Sequence, residues 1–134
     1  MHPEMGGRMS DKYEREAQQR WGQTDSYQIA AQRTQSYTPE DWIQIKSEAA
    51  EIYQMFHLHR QAPMESVELR DAVHRWQCHI DQWFYPCDGQ TLLGLADLYE
   101  MDMRFQDNID KVGGEGTAQC MILAIRHHAS SDVS

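Results

Sequence analysis

From Thr38 to the end of the chain, apolar side chains return at steps of three and four, and this period limits the fold more than any other feature. Trp42, Ile45, Ala49, Ile52 and Phe56 form one stripe, and Leu69, Val73, Trp76, Ile80 and Trp83 form a second. Leu92, Leu95, Ala96 and Tyr99 continue the pattern, as do Ala118, Met121, Ile122 and Ile125. Such spacing places each set on one face of a helix. No stretch alternates polar and apolar residues over six positions, so no strand is expected.

Punctuation sets the boundaries. Thr38-Pro39-Glu40-Asp41 is a helix start, with Thr38 at the N-cap, Pro39 in the first turn and two acids at the positive end of the helix dipole. This helix runs to about Leu58, where Gln61-Ala62-Pro63 breaks the pattern. Ser66 opens the next helix and Pro86 ends it, with a turn expected at Asp88-Gly89. Asp102-Met103-Arg104-Phe105 either prolongs the following helix or starts a short new one through Ile109. The last helix is expected to fray at Ser130-Ser131, with His127-His128 in solvent.

The first third differs in character. Residues 1–10 read as a disordered leader. Residues 11–36 hold few large aliphatics, although Thr24 can cap a short helix through Ser36. This segment is expected to become ordered only against the rest of the chain or a ligand. The resulting division is a leader at 1–10, N-terminal helices at 11–37, a helical core at 38–128 and a disordered tail at 129–134.

Charge and cysteine content narrow the function classes. The 134 residues include 12 Lys and Arg against 21 Asp and Glu, a formal net charge of −9. A sequence-reading DNA surface needs concentrated positive charge, so no direct nucleic-acid contact is expected. No apolar run approaches the roughly 20 residues that span a bilayer, and no signal-peptide pattern is visible. The three cysteines, Cys78, Cys87 and Cys120, make a poor disulfide set, and a reducing, cytoplasmic setting is expected.

The densest chemistry lies between His74 and Cys87. His74 and Cys78 stand four apart on a helix, with His79, Asp81 and Cys87 close by and His57 and His59 available from another helix. These are metal-ligand types, but no paired CxxC or HExxH spacing accompanies them. Cys87 and His79 could instead form a thiol–imidazole pair, since a cationic imidazole lowers a thiol's pKa. A hydrolase also needs an oxyanion hole and an orienting third group, and neither is visible, so turnover is not expected. The bland reading makes Cys87 a partly buried structural thiol and puts Cys78 and Cys120 in the core or at its boundary. Trp83, Phe84 and Tyr85 are consecutive, so they point in three directions and at least one should border a cleft. Met55, Met101, Met103 and Met121 are the methionines placed to add adaptable apolar surface, with core filling as their alternative.

Read in order, the motifs resemble the TipAS domain, the C-terminal drug-recognition domain of TipA-type MerR-family regulators. They are Glu16-Ala17, Arg20-Trp21-Gly22, Thr24-x-x-Tyr27, Arg33-Thr34, Tyr37-Thr38 and Glu40-Asp41-Trp42; then His74-Arg75, His79-Ile80 and Trp83-Phe84-Tyr85-Pro86-Cys87. Gly94-Leu95, Leu98-Tyr99, Asp102-x-Arg104-Phe105 and Ile109-Asp110 complete the set. The match runs from about Tyr13 to Ile125. The resemblance implies an all-α, globin-like fold without haem or other cofactor, a mobile N-terminal lid, and a deep cleft for bulky macrocyclic antibiotics of the thiopeptide class. It implies an effector-sensing part of a longer DNA-binding regulator or a stand-alone drug-sequestering protein. Trp21, Tyr27, Tyr37 and Trp42 are expected to close over the ligand. His79, Trp83, Phe84 and Cys87 should line the cleft, with Leu92, Tyr99 and Phe105 backing it. Some relatives capture ligand through a cysteine, and Cys87 is the position that carries this expectation. Where the family usually has a methionine–histidine pair, this chain has Thr91-Leu92, giving a more apolar wall. Arg104 is expected to pair with Asp102 or Asp110. A helical metal- or haem-binding protein and a helical protein-interaction module are the alternatives.

Overall fold

The structure is a computed structural model that describes the backbone of residues 25–133 and the side chains of residues 28–129. Six helices follow one another: α1 Asp25–Gln35, α2 Pro39–Leu58, α3 Val67–Trp83, α4 Gly89–Met101, α5 Met103–Gly113 and α6 Thr117–Val133. No strand occurs among the described residues. The all-α expectation therefore holds.

The helix starts follow from local chemistry. Thr38 accepts from the Asp41 N–H while Asp41 accepts from the Thr38 N–H, a reciprocal capping box that satisfies two otherwise orphaned donors. Ser66 caps α3 through the Leu69 N–H. Asp88 does not sit in a free turn as expected; it caps α4 by accepting from the Thr91 N–H, and Gly89 is already helical. Asp102 ends α4 and caps α5 in a single residue. The Asp102 side chain thus resolves the ambiguity at 102–105 in favour of a new helix. Its carboxylate also accepts from the Arg104 guanidinium at 2.8 and 3.0 Å, fulfilling one of the two pairings expected for Arg104. The other acid, Asp110, reaches across to the Gly116 and Ala118 N–H groups at the start of α6.

α6 is the axis of the fold. It packs most extensively along α4 and also touches α2, α3 and α5. Its inner face supplies Ala118, Met121, Ile122, Ala124 and Ile125, all buried against Phe56, Leu69, Val73, Leu92 and Ile109. Burial of about 25 cal/mol per Å2 of apolar surface makes this cluster the main source of stability. α1 lies outside it and leans chiefly on α3.

Several local expectations need correction. α6 continues through Ser130-Ser131 to Val133, and Ala129 is buried. His128 is half-buried with Nε2 2.6 Å from the Met64 carbonyl, because the end of α6 folds back over the α2–α3 connection. Met101 and Met103 flank the α4–α5 junction and are exposed, whereas Met121 is core. Cys78 is exposed rather than buried, although it stands one residue from buried His79 on α3.

Candidate functional site

Four aromatic side chains meet where α1, α2 and α3 converge. Tyr37 packs edge-on against Trp42 at 5.7 Å and against Trp83 at 5.6 Å, and Trp42 meets Phe84 at 6.4 Å. Edge-to-face pairs at these distances are attractive. All four are only half-buried, so their faces form surface rather than core. The split expected for consecutive Trp83, Phe84 and Tyr85 is realised: Tyr85 turns into the core while the other two stay at the surface.

Polar contacts fix this arrangement. The Tyr37 hydroxyl donates to the Trp83 carbonyl. Arg33 on α1 donates to the Asp81 carbonyl at 2.7 Å and contacts that of Gln82 at 3.4 Å. These are last-turn carbonyls of α3, which carry the negative end of its dipole and lack helical partners. One cationic side chain thereby ties α1 to α3.

A carboxylate forms the hub beneath the rings. Glu48 Oε1 accepts from Trp83 Nε1 at 2.9 Å and lies 3.0 Å from His79 Nδ1, while Oε2 accepts from Gln44 at 3.2 Å. Burial pushes the Glu48 carboxyl upward, but the hydrogen bonds from Trp83, His79 and Gln44 together outweigh it and hold it below its ordinary range. His79 is only 4% exposed, stacks on Trp76 at 5.2 Å and meets the Phe84 edge at 6.3 Å. Burial lowers its pKa, and the Glu48 carboxylate offsets only part of this.

Between α2 and α3 a groove of about 200 Å3 opens beside the hub, lined by Glu48, Ile52, His74, Arg75, Cys78, His79 and Gln82. His74 Nε2 lies 3.6 Å from Cys78 Sγ, so the two residues do face each other as their spacing suggests. No third ligand joins them: no group of three His, Cys, Asp or Glu side chains is placed to hold a metal ion among the described residues. His57, offered as a distant ligand, instead lies 3.3 Å from the Thr117 hydroxyl.

The expected site residues divide into three sets. Tyr37, Trp42, His79, Trp83 and Phe84 come together at the α1–α2–α3 junction. Cys87, Leu92 and Tyr99 lie in the core, with half-buried Phe105 packed on Tyr99 at 5.3 Å. Trp21 and the side chain of Tyr27 fall outside the described residues, as does most of the 11–37 segment.

The thiol–imidazole pairing is not formed. His79 turns to Glu48, and Cys87 is 6% exposed with its thiol pushed up to about 12 by burial, then by the Asp88 and Asp81 carboxylates and Cys78. Its backbone is also held from α3, where the Asp81 carboxylate accepts from its N–H and Gln77 donates to its carbonyl, each at 2.9 Å. A thiol in this setting is protonated and shielded. Sequence reasoning missed Glu48 altogether. The available signal was a carboxylate on the core-facing edge of α2, between Ile45 and Ile52 and four residues after Gln44.

Known proteins share this architecture. The sequence profile of the TipAS antibiotic-recognition domain matches residues 13–128. The HTH-type transcriptional activator TipA of Streptomyces coelicolor is 37% identical over 102 residues, 75% of this chain and 40% of that protein. The HTH-type transcriptional activator mta of Bacillus subtilis is 33% identical over 93 residues, 69% of this chain and 36% of that protein. The chain thus spans about 40% or less of the length of the regulators it matches. Among solved structures, TipAS in complex with nosiheptide, from a thiopeptide antibiotic multidrug resistance system of Streptomyces lividans, is similar at a TM-score of 0.82 and 34% identity. That likeness covers 96% of this chain and 91% of the other. By sequence profile, sequence identity and fold together, this chain belongs to the TipAS antibiotic-recognition family.

Proposed function

We propose that this chain binds thiopeptide antibiotics in a cleft at the α1–α2–α3 junction. It acts either as the effector-sensing part of a transcription regulator or as a stand-alone protein that sequesters drug. The observation that carries this reading is the similarity, over nearly the whole chain, to a structure solved with nosiheptide bound. The half-exposed rings of Tyr37, Trp42, Trp83 and Phe84 supply apolar faces suited to a large, flat ligand. α1 belongs to the lid in this reading, fastened through Arg33 and Tyr37. Leu92, Tyr99 and Phe105 back the cleft through the core, and Trp21 and Tyr27 complete the lid. With a net charge of −9, this part makes no DNA contact of its own; any DNA-reading part belongs to a longer parent chain.

Binding here is non-covalent and without turnover. Burial and the carboxylates around Cys87 keep its thiol protonated, which removes the nucleophile that covalent capture would need.

Thermal melting with nosiheptide, combined with intact mass, tests the reading. At a ligand concentration a hundredfold above Kd, linkage stabilises the fold by about 2.7 kcal/mol, a rise in Tm of several degrees. A flat Tm across nosiheptide and other thiopeptides rejects the ligand class. A mass adduct that disappears in Cys87→Ala rejects the non-covalent assignment.

A further inference from the structure

His79 lines the groove between α2 and α3, and one of its ring nitrogens meets no donor among the described residues. His79 Nδ1 lies 3.0 Å from Glu48 Oε1, and the same oxygen accepts from the Trp83 indole, a group that can only donate. An ionised carboxylate offers no proton, so His79 must donate through Nδ1–H. In a neutral imidazole the proton on one nitrogen leaves the other as an acceptor. Nε2 therefore carries the lone pair, and no donor reaches it among the described residues. The ring is nine-tenths buried, stacked on Trp76 on one side and met by Phe84 on another, and it lines the groove with Glu48, His74, Arg75 and Gln82. Among the described residues only Trp76 Nε1 is fully enclosed without a partner; His79 Nε2 is not fully enclosed, and Glu48 fixes its orientation in advance of any ligand.

We propose that the α2–α3 groove is a polar subsite in which His79 Nε2 accepts a hydrogen bond from an amide N–H or hydroxyl of the ligand, with Glu48 as the positioning residue that fixes the tautomer. This inference rests on the ligand-binding reading above and adds to it the chemistry of one contact. The aromatic junction is tolerant of shape, whereas this groove selects for a donor at one point. An acceptor that a bound ligand covers discriminates strongly, because a ligand lacking the donor shuts it off from water and leaves it unpaired. The second carboxylate oxygen, Oε2, accepts from the Gln44 amide and leaves Oε1 to His79 and Trp83.

Nitrogen-15 NMR of the histidine rings, on free protein and with nosiheptide, tests the assignment directly. The expected free-state spectrum shows His79 neutral at pH 7 with the proton on Nδ1, and nosiheptide moves the Nε2 resonance in the direction of an accepted hydrogen bond. An Nε2–H tautomer or an imidazolium at pH 7 overturns the inference, as does an Nε2 resonance unmoved by bound nosiheptide. His79→Phe keeps a ring between Trp76 and Phe84 but removes the acceptor, and it should weaken nosiheptide about tenfold. Wild-type affinity in that variant, with a native melt, also overturns it. Glu48→Leu should shift His79 toward the Nε2–H tautomer and weaken nosiheptide similarly, a change that loss of packing alone would not produce in the ring spectrum. Should nosiheptide leave wild type unmoved, the ligand reading fails. The tautomer on the free protein still tests the part assigned to Glu48, because that measurement needs no ligand, while the contact to nosiheptide falls with the ligand reading.

Discussion

The inner face of α6 and the α1–α2–α3 junction are built on opposite principles. Around α6, Phe56, Leu69, Leu92, Met121, Ile122 and Ile125 are almost wholly buried, and apolar contact alone holds them. At the junction, Tyr37, Trp42, Trp83 and Phe84 remain half-exposed, and two of the four rings are tied by polar atoms, Tyr37 to a carbonyl and Trp83 to Glu48. The first region determines that the chain folds, since stability scales with buried apolar area. The second determines what surface the fold presents. Its rings are kept in place by directional contacts that do not require them to be covered.

The contrast is broken most severely by Phe56→Ala. This removes a ring with no exposed surface from the centre of the α6 cluster. The expected loss is about 3–5 kcal/mol, measured by urea denaturation, a large part of the stability of a domain this size. A loss below ~1 kcal/mol would mean that the α6 region does not carry the fold.

Gly114→Ala comes next. Gly114 has φ of +115°, and a Cβ there would lie 2.6 Å from His57 Cε1. Backbone strain and the collision add up to an expected loss of about 1–3 kcal/mol, again confined to the core side, with nosiheptide affinity unchanged in the folded fraction. The same experiment on Gly94, where an added Cβ meets nothing within 4 Å, should instead leave stability equal or slightly higher.

Acid sharpens the comparison through the junction. His79 has a folded pKa below 6.5, so the unfolded chain binds more protons, and its contribution to stability is complete above 6.5 and declines as pH falls below it. Glu48 is also depressed, so its contribution is complete above 4.5 and lost as pH falls further. Tm should thus fall in two stages, the first beginning below pH 6.5 and the second only below pH 4.5. His79→Gln should flatten the upper stage, and an unchanged profile in that variant would show that His79 does not titrate on unfolding.

The smallest effects on stability belong to the surface of the junction. Arg33→Ala removes an exposed contact to the α3 carbonyls and should alter Tm little, while hydrogen exchange across α1 speeds up. Equal exchange in both proteins would separate Arg33 from the attachment of α1. Thiol labelling at pH 8 completes the comparison: Cys78 should react on the native protein, and Cys87 and Cys120 only after unfolding, as counted by intact mass.

Most of the fold is legible in the sequence because its causes are local. Thr38, Ser66 and Pro86 mark helix limits by chemistry that acts within a few residues, and the apolar period names the core. The Asp88 cap reads as a turn because Asp-Gly favours both, and the choice is made by how α4 packs in space. The site is legible only in part. Tyr37, Trp42, Trp83 and Phe84 meet at one junction, but Glu48 joins His79 across 31 residues and Trp83 across 35, and nothing in local periodicity signals that meeting. The same pairing explains why the contact between the Cys87 thiol and the His79 ring does not form. Cys87 lies beyond Pro86, outside the helix that carries His79, and the Glu48 carboxylate claims the ring instead.

The capping box at Thr38 has a mechanical consequence. Because Thr38 and Asp41 satisfy each other's backbone donors, α2 begins without help from α1, although only three residues separate them. Detaching α1 breaks the Arg33 and Tyr37 contacts to α3 and leaves the first turn of α2 intact. The capped start of α2 is therefore an insulator: loss of the α1 contacts to α3 does not by itself remove the hydrogen bonds that begin α2.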